Sequence, residues 1–496
     1  MTPHERDVIE QLGDRVLGYL LDPPSGDLPV VSLATPTQIA ADFDDGGKGV
    51  GLALGEEAEA HPVDQLLHAL DVVVDRSVHT AHPRFMNQNF AGADPISVIG
   101  DWLATSLNTT AATYEAAPVF TLMESAVLTK LATMVGFAET TTTSIAPNPP
   151  GIFCPGGSTS LLYALQLARH RHDPDINRVG MGSTRFAIFV SESGHYSASK
   201  SAALLGLGTE AVVKVPTDSN GAIQPEALAE AIMQANNDGM TPLAVIGTAG
   251  TTVTAAFDDL EALADICSNN DLWFHVDGCY GGSALFSQTY APLLDGVERA
   301  DSVSWNLHKM MGMTQQCSAL LVRKPDQLHQ CFALGADYLF QPDKLHAEWD
   351  SGDRTFQCAR RIDVFKLWLS WKHHGDAGFA GRIDHAVSMA NHARGILEAS
   401  ESFAVVSANF TNVVFAWIPP YLRPFDLATA GPDILAELHR IPPKIKAKLQ
   451  AEGSAMIGFQ PTAGFNTFRI LIMNSAVQTN DIDAVIERID HHGQVM

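Results

Sequence analysis

The chain has few cysteines, few basic side chains and no long apolar run, and each shortage excludes a class of protein. Its six cysteines in 496 residues form no C-x-x-C pair and no Cys/His zinc spacing, which argues against a disulfide scaffold and a metal site. Only 31 Lys and Arg oppose 56 Asp and Glu, and the net charge of −25 argues against nucleic-acid or anionic-membrane partners. No apolar run approaches the roughly 18 residues of a membrane span, and the charged N-terminus is unlike a signal peptide. We therefore expect a cytoplasmic protein with reduced thiols.

The composition and the order of the segments predict an α/β fold. Hydrophobic residues make up 46% of the chain and charged residues 18%, as in globular proteins that form a core. From about residue 95, segments with helical periodicity alternate with short runs that are apolar throughout. These runs are RFAIFVSES, EAVVKVP, LAVIGTAG, DLWFHVDG, DSVSWN and SALLVRK. Apolar strands that alternate with helices indicate a mainly parallel sheet with both faces covered.

The pattern along the chain divides it into three parts. Residues 1–80 are predicted to be an N-terminal helical segment, broken by the polar, Gly-rich loop DFDDGGKGVGLALGEEAEAHP. The alternating region predicts a large domain over 81–375. A smaller α+β domain over 376–496 is predicted from the strand-like TNVVFAWIPP and GFNTFRILIMN and from the helical NDIDAVIERIDHHG.

Polar side chains stand where several predicted strands end. His195 follows RFAIFVSES, Asp277 ends DLWFHVDG, and His308 and Lys309 follow DSVSWN. In parallel sheets, ligands bind outside the carboxyl ends of the strands. Each residue also has a structural interpretation: the histidines can be satisfied core residues, Asp277 can cap a turn, and Lys309 can lie along the surface with its ammonium in water.

A Gly-rich turn precedes one predicted helix, in CPGGSTSLLYALQLAR. Gly156 and Gly157 are followed by Ser158, Thr159 and Ser160. Free N–H groups and the helix dipole make such a turn suitable for an anion, although the same pattern is common at an ordinary capped helix start.

Taken together, the strand-end residues and the Gly-rich turn match the needs of pyridoxal 5'-phosphate. That cofactor requires a lysine for its aldehyde, an anion site for its phosphate and a carboxylate that keeps the pyridine nitrogen protonated. Lys309 is the predicted lysine. A rival nucleotide motif, the lone G-x-G-x-x-A of GLGTEA, precedes a strand instead of following one, so its context is wrong for a Rossmann site.

Four longer motifs carry a family resemblance. HVDGCYGG, SVSWNLHKMMG, GTAGTTVTAAFD and the region from YLFQPDK to RRIDVFKLWLSW resemble the group II pyridoxal-phosphate-dependent decarboxylases, most of all glutamate decarboxylase and cysteine sulfinate decarboxylase. The resemblance covers about residues 80–490. It implies the aspartate aminotransferase type of fold (fold type I), with a mainly parallel seven-stranded sheet in a pyridoxal-phosphate-binding domain. It also implies a homodimer with shared active sites.

The resemblance assigns roles by motif to individual residues. Lys309 is expected to bind the cofactor aldehyde covalently, Asp277 to pair with the pyridine nitrogen, and His195 to stack on the ring and take part in catalysis. The other expected cofactor-binding positions are Thr159, Ser160, Thr248, Cys279, Asn306 and His308. Cys279 stands beneath the ring, where the family usually has alanine.

Four further residues are implied for the substrate. Arg469 stands where the family binds the α-carboxylate, a role that suits a bidentate guanidinium. Gln88 and Phe90 match the segment that lines the side-chain pocket, and Thr110 is the fourth candidate. Because Phe90 is bulkier than the serine usual in glutamate decarboxylases, it favours a shorter acid such as aspartate or cysteine sulfinate; alternatively, it only fills core space.

The loop DKLHAEWDSGDR departs from the family. In the family, a tyrosine on this loop returns a proton to Cα after carbon dioxide leaves, and here His346 takes its place. Histidine can donate a proton near neutral pH, so His346 is the third predicted catalytic residue, although it can also be a solvated loop residue.

The predicted activity is pyridoxal-phosphate-dependent α-decarboxylation of a small acidic L-amino acid, namely aspartate, cysteine sulfinate or glutamate, to the amine and carbon dioxide. Three alternatives stay open: a decarboxylation-dependent aldehyde synthase, a decarboxylase for another L-amino acid, and a catalytically silent relative that serves in binding or assembly.

Overall fold

The computed structural model describes residues 1–54, 60–139, 145–336, 338–341 and 343–496. Residues 55–59, which belong to the predicted Gly-rich loop, lie outside the described residues. The chain forms two compact units: the small unit comprises Met1–Pro95 and Ser388–Met496, and the large unit comprises Ile96–Val387. The predicted domain boundaries after residues 80 and 375 stay a prediction, and the two compact units divide the chain after residues 95 and 387.

The described residues form strands and helices that are numbered here in chain order. The strands are β1 (Phe85–Met86), β2 (Gly151–Cys154), β3 (Phe186–Ser191), β4 (Val212–Val215), β5 (Thr241–Thr248), β6 (Trp273–Asp277), β7 (Ser302–Asn306), β8 (Ser318–Val322), β9 (Phe403–Asn409), β10 (Asn412–Trp417), β11 (Met456–Thr462) and β12 (Phe465–Leu471). The helices are α1 (Pro3–Leu21), α2 (Pro36–Asp44), α3 (Val63–Arg76), α4 (Pro95–Leu107), α5 (Pro118–Met134), α6 (Gly157–His172), α7 (Ile176–Val179), α8 (Ser197–Leu204), α9 (Pro225–Asn237), α10 (Leu260–Asn269), α11 (Asp326–Phe332), α12 (Val364–Glu398), α13 (Pro432–Leu438), α14 (Ile441–Glu452) and α15 (Thr479–Gln494).

The large unit contains a seven-stranded sheet with the strand order β2-β8-β7-β6-β5-β3-β4. The pairs β7–β6, β6–β5, β5–β3 and β3–β4 are parallel, whereas β8 runs antiparallel to both of its neighbours. This mostly parallel sheet confirms the predicted α/β class and fold type I.

Burial on both faces explains why these strands are apolar throughout. All six residues of β3 are buried, and alternate residues of the strands meet α6 on one face. Ile188, Ile246 and Leu320 belong to this core, together with Leu161 and Leu165 of α6. A parallel sheet covered by helices leaves no solvated face, so the period-two polar pattern of a half-exposed strand is missing.

The small unit contains a five-stranded sheet with the order β1-β11-β12-β10-β9. The two-residue strand β1 pairs in parallel with β11, and the remaining neighbours pair antiparallel. The division between the units falls inside α12, between Val387 and Ser388. Earlier in the same helix, Gly375 has a φ of 66° and departs from helical geometry. Among the helices of the described residues, none is long and apolar enough to cross a membrane.

Candidate active site

Three neighbouring strands of the large unit end in polar residues at one edge of the sheet. Thr248 ends β5, Asp277 ends β6, and Asn306 ends β7. The β5–β6 register pairs Thr248 directly with Asp277. Lys309 follows Asn306 in a tight turn, in which its backbone N–H donates a hydrogen bond to the Asn306 carbonyl over 3.1 Å. The sheet order therefore places the lysine next to the carboxylate, as the strand-end pattern predicted.

One pocket of the large unit collects most of the predicted cofactor residues. Its lining consists of Gly157, Ser158, His195, Ser197, Thr248, Gly250, Thr252, Asp277, Cys279, Tyr280, Asn306 and Lys309. Six of the nine predicted cofactor-binding residues are in this lining. The methionines that follow Lys309 in sequence (Met310, Met311 and Met313) are buried, so the turn rests on an apolar base.

The amine of this pocket stabilises the charge of the carboxylate. Burial acts to raise the pKa of Asp277, but the charge of Lys309 and the hydrogen bonds from Cys279 outweigh it, and the pKa falls below its ordinary value. The Cys279 backbone N–H donates to Asp277 Oδ1 over 3.1 Å. Asp277 is therefore a partly buried carboxylate that stays ionised, as a partner for a protonated ring nitrogen must be.

His195 is held at the pocket by the start of α8. Its Nδ1 lies 2.9 Å from the hydroxyl oxygen of Ser197, which itself lines the pocket. Burial lowers the pKa of His195, the Asp277 charge counteracts this effect, and the Lys309 charge adds to it. The imidazole is thus neutral at physiological pH, a state suited to packing against an aromatic ring.

The turn before α6 has the geometry of an anion cradle. Gly156 has a φ of 144°, which favours glycine, and no side chain caps the first turn of α6. A Cβ added to Gly157 would lie 2.4 Å from Cys279 Sγ and 3.2 Å from Asn306 Nδ2. Only glycine fits this close contact, and Gly157 begins a sixteen-residue helix whose N-terminus borders the pocket.

Three predicted cofactor residues are outside the pocket lining formed by the described residues. The buried Ser160 donates its hydroxyl hydrogen back to the Gly157 carbonyl over 3.1 Å, and Thr159 lies beside it in the first turn of α6. His308 Nδ1 lies 2.8 Å from the Cys317 carbonyl oxygen, and burial lowers its pKa to about 4. The expected contacts of these three residues with the phosphate stay predictions.

Sequence reasoning did not name Ser197, Gly250 or Tyr280 as site residues, yet they line the pocket. Gly250 has a φ of 87°, and a Cβ on it would lie 2.9 Å from Tyr280 Cδ1. The spacing of Ser197 from His195 and the glycine in LAVIGTAG were the available signals. Neither signal indicates a site until the strand order is known.

The predicted substrate residues are divided between the two units. In the small unit, the buried Arg469 of β12 donates from Nη2 to the Asn87 carbonyl over 2.8 Å. Gln88 follows Asn87 and is exposed, and the ring of Phe90 lies 5.7 Å from that of Phe85. In the large unit, Thr110 accepts a hydrogen bond of 3.0 Å from the Arg360 backbone N–H.

His346 lies on a loop of the large unit that is tied to the segment before α5. Its backbone is left-handed, with a φ of 64°, and its ring centroid is 5.1 Å from that of Tyr114. The Asp350 carboxylate accepts from the Tyr114 backbone N–H over 2.8 Å and pairs with Lys344 over 2.6 Å. His346 is exposed and does not belong to the lining that the described residues form around Lys309.

The donor set of the pocket fits pyridoxal phosphate. An amine, an ionised carboxylate, a neutral imidazole and an uncapped helix N-terminus occur together in the lining of one pocket, where the chain has no room for a side chain at Gly157. With a mostly parallel seven-stranded sheet carrying them, these groups define a pyridoxal-phosphate-dependent enzyme of fold type I.

Comparison with known proteins narrows this class. The family model described as the pyridoxal-dependent decarboxylase conserved domain matches residues 52–418. Human cysteine sulfinic acid decarboxylase is 44% identical over 436 residues, which cover 87% of this chain and 86% of that protein. The acidic amino acid decarboxylase GADL1 of Bos taurus is 41% identical over 450 residues, covering 90% and 84%. The crystal structure of mouse CSAD in apo form superposes with a TM-score of 0.90 at 37% identity, covering 99% of each chain. The chain belongs to the pyridoxal-dependent decarboxylase family.

Proposed function

We propose that this protein removes the α-carboxyl group of a small acidic L-amino acid, with pyridoxal phosphate as cofactor, and releases the amine and carbon dioxide. Aspartate, cysteine sulfinate and glutamate are the candidate substrates. The observation that carries the proposal is the pocket in which Lys309 and the ionised, partly buried Asp277 occur together, next to the uncapped start of α6. The names of the two relatives, a cysteine sulfinic acid decarboxylase and an acidic amino acid decarboxylase, support the substrate class.

Each residue of the large-unit pocket has a distinct proposed role. Lys309 holds the cofactor through a covalent bond to its aldehyde carbon, and Asp277 keeps a proton on the pyridine nitrogen. His195 packs on the ring face, and the backbone N–H groups of Gly157 and Ser158 bind the phosphate. When bound, pyridoxal phosphate accepts the electron pair that the breaking Cα–carboxyl bond releases.

Arg469 and His346 are proposed to act on the substrate itself. The buried guanidinium of Arg469 binds a substrate carboxylate, and its planar donor pair fixes the orientation of that group. The orientation decides which bond at Cα is cleaved. His346 then supplies the proton that replaces the lost carboxyl group at Cα. Thr110, Gln88 and Phe90 are proposed to contribute to substrate selection.

A second candidate activity is favoured by one observation. His346, which the family resemblance aligns with the tyrosine that returns the proton to Cα, is exposed on its loop. A slower return of the proton gives oxygen time to react, and the product is then an aldehyde with ammonia and hydrogen peroxide. The balance between the two outcomes therefore depends on the rate at which His346 delivers its proton.

Assembly and location also belong to the proposal. We infer a homodimer with shared active sites, as in the family. The nineteen-residue helix α1 supports this inference because it has no buried residue within one chain and exposes apolar side chains, among them Ile9 and Leu21. The cytoplasmic location rests on the six cysteines, all of which are free thiols.

The test is a panel of L-amino acids incubated with the purified, cofactor-loaded protein, in which carbon dioxide, amine and peroxide are measured in parallel. Carbon dioxide with stoichiometric amine from an acidic amino acid supports the decarboxylase. Carbon dioxide with peroxide and aldehyde supports the second candidate. If no amino acid in the panel reacts, or if the protein does not bind the cofactor, the silent-relative alternative is correct and the proposal is wrong.

A further inference from the structure

Two lysines of the large unit lie near the pocket around Lys309, on the side of His195. Lys200 of α8 places Nζ 4.5 Å from the centroid of the Tyr196 ring, and that ring lies 4.2 Å from the ring of His195. Lys214 of β4 donates from Nζ over 3.5 Å to the carbonyl oxygen at the end of β3, where the turn toward His195 begins. Both lysines and both rings are exposed, so a ligand that approaches the pocket from this side meets them first.

The two ammonium groups have no counter-charge in contact with them. Among the residues that the structure describes, no carboxylate forms an ion pair with Lys200 or Lys214. Burial is the main cause of the lowered pKa of His195, and the Asp277 charge opposes it. The charges of Lys200 and Lys214 act in the same direction as burial, as does the charge of Lys309. Since the chain has a net charge of −25 and repels small anions at a distance, such local cations are needed to attract an anionic ligand.

We propose that Lys200 and Lys214, here called the cationic border, attract anionic ligands to the pocket and speed the binding of pyridoxal phosphate. The phosphate group is close to a dianion at neutral pH. In water, a unit charge about 10 Å from a dianion favours their encounter about two- to threefold at 10 mM salt and about 1.5-fold at 150 mM salt. This inference rests on the proposed placement of the cofactor beside Lys309, and it adds the residues that guide the cofactor there.

The experiment follows visible absorbance after rapid mixing of the cofactor-free protein with pyridoxal phosphate, over a series of cofactor concentrations and salt concentrations. Pyridoxal, which has the same aldehyde and no phosphate, is the control ligand. Lys200→Met and Lys214→Met are made singly and together, because methionine removes the charge and keeps most of the length of the side chain. Lys324→Met is the matched control, since Lys324 is exposed and follows β8, whose antiparallel direction places its end at the opposite edge of the sheet.

At 10 mM salt, we expect each single variant to lower the second-order rate constant for pyridoxal phosphate about two- to threefold, and the double variant about sevenfold. At 150 mM salt, the loss in the double variant falls to about twofold, because salt screens the charges. The rate constant for pyridoxal stays at its wild-type value in every variant, and Lys324→Met changes neither rate constant. Lys214→Arg keeps the charge and therefore keeps the wild-type rate constant for pyridoxal phosphate.

Three outcomes would overturn the inference or what it rests on. Equal rate constants for pyridoxal phosphate in the wild type and in the double variant at 10 mM salt show that the cationic border does not attract the cofactor. Parallel losses with pyridoxal phosphate and pyridoxal, independent of salt, show that the two lysines only support the segment around His195. If the wild-type protein does not bind pyridoxal phosphate, the proposed function itself fails, whatever the variants do.

Discussion

Gly157 offers the sharpest test of the cofactor pocket, because a side chain at this position would collide with two pocket residues. A Cβ at this position would lie 2.4 Å from Cys279 Sγ and 3.2 Å from Asn306 Nδ2. Ordinary contacts are more than 1 Å longer than the first of these, so Gly157→Ala must displace the thiol or the start of α6. Overpacking of this kind costs about 1–3 kcal/mol, which corresponds to a roughly 5- to 150-fold loss of cofactor affinity if all of it falls on binding.

The sulfur atom allows this reasoning to be tested by a double-mutant cycle. Cys279→Ala removes the closest atom and is expected to have a small effect alone, since the family usually has alanine there. Combined with Gly157→Ala, it should recover about 1 kcal/mol or more of the lost affinity, because the remaining close contact is the longer one to Asn306.

The measurement is a titration of the cofactor-free protein with pyridoxal phosphate, followed by visible absorbance, with thermal unfolding of each variant as the control for folding. Unchanged affinity in Gly157→Ala would refute the placement of the cofactor against this turn. A double variant no better than Gly157→Ala would show that the Cys279 sulfur is not the obstacle.

Three further predictions concern the chemistry and the substrate. Lys309→Ala should abolish the visible absorbance band of the bound cofactor and lower kcat at least about 100-fold, since the covalent attachment is lost. An unchanged band in the absorbance spectrum would contradict the assignment of this lysine. Phe90→Ser should raise the ratio of kcat/KM for glutamate over aspartate by about tenfold, because a longer pocket admits one more methylene; an unchanged ratio would argue that Phe90 only fills space. His346→Gln should lower amine formation by about 100-fold and increase the peroxide released per carbon dioxide, because glutamine cannot supply the proton. If amine and peroxide assays give the same product ratios for the variant and the wild type, His346 is not the proton donor.

The fold class could be predicted from the sequence because strands buried on both faces must be apolar throughout. RFAIFVSES shows this pattern, and the corresponding strand β3 is fully buried. The direction of β8 could not be read in the same way, since SALLVRK is equally apolar whether its neighbours run parallel or antiparallel to it. The position of β1 could not be predicted either, because a strand of two residues shows no hydrophobic periodicity.

The core of the candidate site was predictable for a related reason. Asp277 ends one predicted strand and Lys309 follows another, and parallel strands bring their carboxyl ends to one edge. Asp258 carried no such signal: its buried carboxylate accepts hydrogen bonds from the backbone N–H groups of Thr248 and Ile223, both over 2.7 Å, and burial raises its pKa to about 6. Its importance for the end of β5 arises from contacts that only the folded chain makes.

The sequence by itself determined the class of fold, the cofactor chemistry and the strand-end residues. Hydrophobic patterns and turn glycines are local signals, so they can be recognised without knowing which distant residues meet. Tertiary structure alone decided which side chains meet across long separations. Lys446 and Asn87 are 359 positions apart, and no local pattern relates a lysine on one helix to an asparagine after a two-residue strand. The two residues meet only because β1 pairs with β11 and α14 folds into the same unit.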